Sequence, residues 1–345
     1  MKDTILFGDC KETLSEFLPQ SARTCVTSPP YYGLRDYGTA TWIGGDPNCN
    51  HRRDSKVKAE NCNTGHKNHD EMYGVGDAIY KTVCPKCGAI RQDSQIGLEE
   101  TPEEYIENLV NVFRSVRDVL TDDGTLWVNL GDSYYNYRPG KGQSYPKQSV
   151  SKTKQDLPDE CNKRGNKLDG LKEKDLIGIP WLFAFAMRND GWYLRQDIIW
   201  HKPNPMPESV RDRCTKSHEY IFLFSKNRKY HYDNEAIKEP AKDWGTRDRT
   251  NGKYHNEGTG LQPHSGLTKS YPTKNKRSVW SVTNKPYREA HFATYPPDLI
   301  EPCILAGSEV GDIVLDPFMG SGTTAAVAKA LGRDYIGCEL HEDYG

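Results

Sequence analysis

Apolar residues follow two different spacings along this chain, and these spacings predict its secondary structure. Short apolar runs at residues 4–9 and 22–27 indicate buried strands, whereas residues 101–120 place apolar side chains on one face of a helix. Thr101 and Pro102 are typical of the first positions of such a helix. Residues 312–340 follow the order strand, glycine-rich turn, helix, strand. This alternation predicts an α/β fold with a mostly parallel sheet and helices on both faces.

Three other segments depart from this alternation. Residues 192–207 and 218–233 predict two strands that form an antiparallel pair at an edge of the sheet. Residues 38–94 are polar, rich in Asn, His and Cys, and predict an insertion into the α/β frame. Residues 236–284 are polar and basic with little periodicity, which indicates either a recognition module or a long irregular segment.

The composition narrows the class of protein. The 345 residues suffice for about two domains, and 35% are hydrophobic, 27% are charged and the mean hydropathy is -0.81. No apolar run is long enough for a membrane span and no signal peptide precedes the first strand, so we expect a cytoplasmic protein without a membrane partner. The formal net charge is only -2, but residues 226–288 hold 14 lysines and arginines against 6 acidic residues. Such segregation fits either a polyanion-binding face or solvated basic loops.

Cysteine and histidine residues cluster in the insertion. Cys84 and Cys87 form a C-x-x-C pair followed by glycine, and Cys49 and His51 lie upstream. Four such ligands at this spacing predict a structural zinc site that folds the insertion. Free thiols in an irregular insertion are the alternative, and three other residues are further candidate ligands: Cys62, His66 and His69.

A glycine-rich turn follows the strand at residues 313–316. Asp316 ends that strand, Gly320 and Gly322 permit close approach of a ligand, and Glu339 ends the next strand, where a carboxylate can bind ribose hydroxyls. Thr323 and Thr324 begin the intervening helix. No Gly-Lys-Ser/Thr follows, so the turn favours a ligand with a ribose and no triphosphate. S-adenosylmethionine fits best, and NAD is the alternative on spacing alone.

Two consecutive prolines make a rigid turn after the second strand. Pro29 and Pro30 lack a backbone N–H and have a fixed φ, so Ser28 and Tyr31 on either side are held in set directions. The turn is either an ordinary loop turn that ends the strand or a rigid site that directs these side chains at a ligand.

These motifs together resemble those of the amino-directed DNA methyltransferases, which modify N4 of cytosine or N6 of adenine. The resemblance rests on TSPPYY at 27–32, DPFMGSGTT at 316–324 and GCEL at 337–340, and this order is similar to that of the permuted class. It implies a Rossmann-like S-adenosylmethionine-dependent fold. It also implies a set of cofactor-binding residues: Asp9, Thr294, Tyr295, Pro296, Asp316, Phe318, Gly320, Gly322, Thr323, Thr324 and Glu339.

The resemblance gives the Pro-Pro turn a catalytic role. The hydroxyl of Ser28 and the carbonyl of Pro29 would accept hydrogen bonds from the exocyclic amine, and Tyr31 would stack on the base. The base must leave the duplex to reach them, so base flipping is implied. Serine before Pro-Pro-Tyr resembles the cytosine-N4 group, and the adenine-N6 reaction is the alternative.

Other classes of protein explain the sequence less well. A carbon-5 cytosine enzyme needs a cysteine nucleophile, and the helical spacing around Cys303 indicates a core residue. A protein-glutamine methyltransferase would carry the two motifs in the reverse order. A noncatalytic zinc-containing nucleic-acid-binding protein would have no use for both the Pro-Pro turn and the glycine turn.

The resemblance also suggests a division of the chain. We expect residues 1–37 and 95–235 to form the catalytic domain, 38–94 a zinc-binding insertion, 236–284 the target recognition region and 285–345 the cofactor-binding part. Double-stranded DNA is the expected partner, while a homodimer and a cognate restriction endonuclease stay open. Three residues toward the end of the predicted strand stretch 192–207 either contact the flipped base or its phosphate, or simply end the strand: His201, Lys202 and Asn204.

Overall fold

The computed structural model describes residues 2–33, 39–51, 80, 82–135, 168, 170–241, 272–284 and 295–341. Five α-helices lie within these ranges: α1 (Cys10–Thr13), α2 (Pro102–Val119), α3 (Ile179–Asn189), α4 (Pro297–Gly307) and α5 (Thr323–Ala330). Twelve strands are present in the same part of the chain: β1 (Thr4–Phe7), β2 (Ala22–Thr27), β3 (Thr41–Ile43), β4 (Ile90–Gln92), β5 (Leu120–Leu130), β6 (Tyr193–His201), β7 (His218–Ser225), β8 (Glu239–Pro240), β9 (Thr273–Lys274), β10 (Val279–Ser281), β11 (Ile313–Asp316) and β12 (Asp334–Glu339).

Eight strands form one sheet in the order β1-β12-β11-β2-β5-β7-β6-β10. All neighbouring strands run parallel except β7, which is antiparallel to both β5 and β6. The predicted α/β fold with a mostly parallel sheet is therefore confirmed. The antiparallel pair of β6 and β7 is also present, but β10 pairs with β6 and lies outside it. The pair thus sits one strand inside the sheet edge.

Helices cover both faces of this sheet, as the alternation of strands and helices predicts. Apolar residues of α2 and α3 pack on one face and those of α4 and α5 pack on the other. Strand β2 shows why both faces are apolar, because Cys25 points into the first cluster and Val26 into the second. Cys303 is buried in α4, and burial raises the pKa of its thiol far above the usual range. This confirms the core position that its helical spacing predicts.

Helix α2 follows the predicted pattern closely. The Thr101 hydroxyl accepts a hydrogen bond from the backbone N–H of Glu104 at 3.2 Å, and Pro102 occupies the first helical turn. The predicted apolar stripe is buried along its whole length: Tyr105, Ile106, Leu109, Val112, Phe113 and Val116. Helix α2 thereby covers the strands whose ends carry the candidate site.

Two small antiparallel ribbons lie outside the main sheet. Strand β3 pairs with β4 in the insertion, and β8 pairs with β9 in the region after residue 236. Among the described helices, none is both long and apolar enough to cross a membrane.

Candidate active site

The parallel strands bring their carboxyl ends to one edge of the sheet. Phe7 of β1 pairs with Glu339 of β12, Asp316 of β11 pairs with Gly337, and Leu315 pairs with Cys25 of β2. The loops after these strands, and after β5, therefore emerge side by side. Ligands of open α/β sheets bind at this edge.

Asp316 is fully buried at the centre of this edge and accepts four hydrogen bonds. Its donors are the hydroxyls of Thr27 at 2.6 Å, Thr324 at 2.5 Å and Tyr295 at 3.0 Å, and the backbone N–H of Phe318 at 3.0 Å. Burial raises the pKa of Asp316 to about 6, although all four hydrogen bonds lower it. Because Thr27 directly precedes Ser28, this carboxylate ties the glycine turn to the Pro-Pro turn.

The glycine turn between β11 and α5 is closed by Glu339. The backbone N–H of Gly320 donates to one carboxylate oxygen of Glu339 at 2.7 Å, and that of His341 donates to the other at 3.0 Å. Gly320 and Gly322 have φ of +53° and +78°, and a Cβ at either position would meet open space. Glycine is thus required here for its left-handed backbone conformation.

The remaining predicted cofactor residues occupy several places. Asp9 caps α1, where its carboxylate accepts from the backbone N–H of Lys11 at 2.9 Å, and Pro296 caps α4. The hydroxyl of Tyr295 also contacts that of Thr324, and both hydroxyls hydrogen-bond to the carboxylate of Asp316. Thr323 is the first residue of α5. Thr294 lies outside the described residues.

The Pro-Pro turn is held by contacts to β5 and α2. The Ser28 hydroxyl lies 3.3 Å from the backbone carbonyl of Asn129 and 3.4 Å from its side-chain oxygen. The carbonyl of Pro30 accepts a hydrogen bond from the hydroxyl of Tyr105 at 2.8 Å. Within the described part of the chain, no group donates to the carbonyl of Pro29. One of the two proline carbonyls is therefore anchored and the other is left as an acceptor.

Tyr31 is held at its hydroxyl and along one edge of its ring. Its hydroxyl lies 2.8 Å from a carboxylate oxygen of Glu219 and 3.0 Å from the side-chain oxygen of Asn129. Burial and the charge of Glu219 raise the pKa of Tyr31 well above its ordinary value, so the hydroxyl stays protonated and donates. A Cβ on Gly131 would lie 2.6 Å from the ring, which shows how closely the ring packs on that backbone.

Sequence analysis did not single out Asn129 and Glu219. Asn129 interrupts the apolar run of β5, and Glu219 lies near the start of the apolar strand β7. A polar residue inside a buried strand needs a partner, and this signal could have marked both positions. Neither position identifies Tyr31 as that partner without knowledge of the strand order.

The three residues predicted at the end of β6 have partners within the protein: His201, Lys202 and Asn204. Lys202 forms a close ion pair with Glu219, and His201 Nδ1 lies 3.0 Å from the hydroxyl of Ser281. The side chain of Asn204 exchanges two 3.2 Å hydrogen bonds with the backbone of Asn284. These contacts join β6 to β10, and they connect Lys202 to the Pro-Pro turn through Glu219.

Four predicted metal ligands converge in the insertion. The side-chain donor atoms of Cys49, His51, Cys84 and Cys87 all lie within 4.8 Å of one another. The sulfurs of Cys49 and Cys84 are 3.7 Å apart, and Cys87 Sγ is 3.5 Å from His51 Nδ1. Bond lengths around tetrahedral zinc require about 3.8 Å and about 3.6 Å, respectively. The other three candidate ligands lie outside the described residues: Cys62, His66 and His69.

Comparisons with known proteins agree with this geometry. A family model described as DNA methylase matches residues 22–345. The type II methyltransferase M.SmaI of Serratia marcescens is 40% identical over 345 residues, covering 99% of this chain and 87% of the relative. The solved PvuII DNA methyltransferase, described as cytosine-N4-specific, has a TM-score of 0.55 at 16% identity and covers 100% of this chain and 84% of its own.

A second solved structure supports the same fold. It is a putative DNA modification methylase from Thermus thermophilus, complexed with S-adenosyl-L-methionine. It has a TM-score of 0.50 at 20% identity and covers 99% of this chain and 88% of its own. The sheet, the order of the motifs and these matches all lead to one family.

Proposed function

Because this chain belongs to the DNA methylase family of N4- and N6-directed methyltransferases, we propose that it methylates N4 of cytosine in double-stranded DNA. The observation that carries the cytosine assignment is Ser28 in the Pro-Pro turn, hydrogen-bonded to Asn129. The solved PvuII DNA methyltransferase, described as cytosine-N4-specific, supports the same assignment. N6 of adenine is the second candidate, since the family name covers both amines.

The Pro-Pro turn is built to accept hydrogen bonds from an amine. When the hydroxyl of Ser28 donates to Asn129, its lone pairs remain for one amine hydrogen, and the carbonyl of Pro29 can accept the other. Two acceptors would align the amine lone pair and disfavour its delocalisation into the ring. The amide of Asn129 is neutral, so this site orients the amine without a carboxylate base beside Ser28, and the proton that the methylated amine gives up would pass to water.

S-adenosylmethionine, when bound, supplies an electrophilic methyl group and leaves as S-adenosylhomocysteine. The edge formed by β1, β11 and β12 fits this group, because each carboxylate oxygen of Glu339 uses one acceptor position and keeps another for a ribose hydroxyl. Asp9 and Phe318 lie on the neighbouring loops. Asp316 holds the glycine turn in place and, through Thr27, keeps it next to Ser28.

The four-residue cluster would hold Zn²⁺ with all positions supplied by protein. Three thiolates and one imidazole, with one thiolate–thiolate pair and one thiolate–imidazole pair at tetrahedral separations, are typical of structural zinc. The ion would fold the insertion, because β3 and β4 alone make a ribbon of three residues per strand.

The region 236–284 is proposed as the target recognition region. Around β9, three cations surround a single carboxylate, Glu239, at 3.6–3.8 Å: Lys274, Lys276 and Arg277. This excess of positive charge suits contacts with phosphates, which would make binding sensitive to salt.

Transfer of labelled methyl from S-adenosylmethionine to mixed-sequence duplex DNA tests this function. We expect transfer by the native chain and about a 100-fold slower rate for Ser28→Ala, because one amine acceptor is lost. Ser15→Ala is the matched control, since Ser15 only bonds the backbone of Glu12 on the exposed surface. No transfer by the native chain, or an undiminished rate in Ser28→Ala, would contradict the proposal.

A further inference from the structure

We propose that Glu219, paired with Lys202, is a positioning residue that fixes the ring of Tyr31 where it meets the target base. This inference rests on the proposed methyl transfer and adds a residue from β7 to the site. It assigns no bond-making role to Glu219, because the contact runs through the hydroxyl of Tyr31.

The position of Glu219 follows from the strand order. Strand β7 lies between β5 and β6, and its residues Glu219 and Tyr220 pair with Trp200 of β6 and with Leu130 of β5, respectively. The side chain of Glu219 therefore sits between the end of β5 and the segment after β6. There it reaches the Tyr31 hydroxyl at 2.8 Å, across 188 residues of sequence.

The charge of Glu219 is compensated within the protein. The side chains of Glu219 and Lys202 are each only 16% exposed, and they form a close ion pair. The Lys202 ammonium also lies 4.1 Å from the centre of the Trp200 ring, which adds a cation–π contact. An unpaired carboxylate so close to a DNA-binding site would be costly and would repel phosphates. The ion pair leaves the second carboxylate oxygen to accept from Tyr31.

These contacts fix the aromatic ring in a single orientation. A tyrosine after Pro-Pro can turn about two side-chain torsions, whereas here its hydroxyl is held by Glu219 and Asn129 and its edge packs on Gly131. Stacking on a flipped base needs a fixed ring plane. Because the ring is already ordered in the protein, no conformational entropy of the Tyr31 side chain has to be lost during the reaction. Loss of the hydroxyl contact should slow methyl transfer and leave cofactor binding unchanged.

A double-mutant cycle tests this inference. The variants are Tyr31→Phe, Glu219→Ala and their combination, and the readout is the single-turnover rate of methyl transfer to duplex DNA. We expect each single variant to be at least about tenfold slower, and the double variant to be no slower than Glu219→Ala, because Glu219→Ala already removes the contact that Tyr31→Phe removes, together with the ion pair to Lys202. A double variant clearly slower than Glu219→Ala, or single variants as fast as the native chain, would overturn the inference.

Further measurements separate positioning from a merely structural role. Affinity for S-adenosylhomocysteine should stay within about twofold of the native value in all three variants, since the residues that would bind it lie at the ends of β1, β11 and β12 and on the glycine turn before α5. Unchanged rates with a lowered melting temperature would assign Glu219 to stability alone and overturn the inference. Glu219→Gln keeps a hydrogen-bonding group at the Tyr31 hydroxyl, so we expect it to restore the rate to within about threefold.

Two controls away from Tyr31 and one reserve variant complete the design. Glu301→Ala removes an exposed carboxylate of α4, and Tyr335→Phe removes a hydroxyl on β12 remote from Tyr31; neither should change the rate. If Glu219→Ala does not fold, Tyr31→Phe alone decides, because it keeps the ring and removes only the hydroxyl. An inactive native chain would contradict the proposed function itself, whereas an active native chain with insensitive variants would contradict only the positioning role.

Discussion

Gly131→Ala is expected to slow catalysis by displacing Tyr31. Gly131 follows β5 with an ordinary backbone φ, so alanine fits the backbone, but its Cβ would lie 2.6 Å from Cε2 of Tyr31. Ordinary carbon–carbon contacts are about 3.6 Å, so the ring must move by about 1 Å. Misplacement of that size costs about 100-fold in rate, and the overpacking costs about 1–3 kcal/mol of stability.

Gly307→Ala is a matched control for this overpacking. Its Cβ would lie 2.6 Å from the Thr24 hydroxyl and 2.8 Å from that of Thr125, again without a positive φ and away from Tyr31. We expect both variants to lower the melting temperature and only Gly131→Ala to lower the single-turnover rate of methyl transfer. Equal rates for the two variants would refute the reasoning that the Tyr31 ring must be fixed against Gly131.

Three further predictions concern the cofactor edge and the metal cluster. Burial raises the pKa of Asp316 from 3.8 to about 6, so its contribution to the free energy of unfolding is full below about pH 4 and is lost as the pH rises through 6. Relative to Asp316→Asn, the native chain should lose about 2 kcal/mol between pH 4 and 7 in denaturant titrations, and parallel pH profiles would contradict this. Glu339→Gln should weaken binding of S-adenosylhomocysteine about 10- to 100-fold by calorimetry, and an unchanged Kd would refute the ribose contact. Cys84→Ser should lower bound zinc, measured by elemental analysis, while affinity for S-adenosylhomocysteine stays unchanged; full zinc content would contradict the cluster.

Local patterns predicted most of the frame. The stripe of α2 and the strand-turn-helix-strand order of residues 313–339 depend on neighbours in sequence, so both follow from apolar spacing and helix-start signals. Strand β10 was not predicted because its three residues lie in a polar segment, and only Trp280 among them is buried. The extra strand depends on pairing with β6, which no local pattern specifies.

In the candidate site, too, local motifs could be predicted from the sequence and contacts between distant strands could not. The Pro-Pro turn, Asp316 and Glu339 carry recognisable local motifs, and the C-x-x-C pair limited the choice of metal ligands. The contact of Tyr31 with Glu219 could not be predicted, because it depends on β7 lying between β5 and β6. The sequence predicted that Lys202 either contacts the flipped base or its phosphate, or simply ends the strand. Its ion pair with Glu219 depends on the same strand order.

Identification of the methylated base tests the central claim most directly. Duplex DNA of mixed sequence would be incubated with the native chain and S-adenosylmethionine carrying a labelled methyl group, then digested to nucleosides and analysed by mass spectrometry. We predict label in N4-methylcytosine, because serine at position 28, directly before Pro-Pro-Tyr, resembles the cytosine-N4 group. Label only in N6-methyladenine would contradict the base assignment, and no labelled nucleoside at all would contradict the proposed methyl transfer.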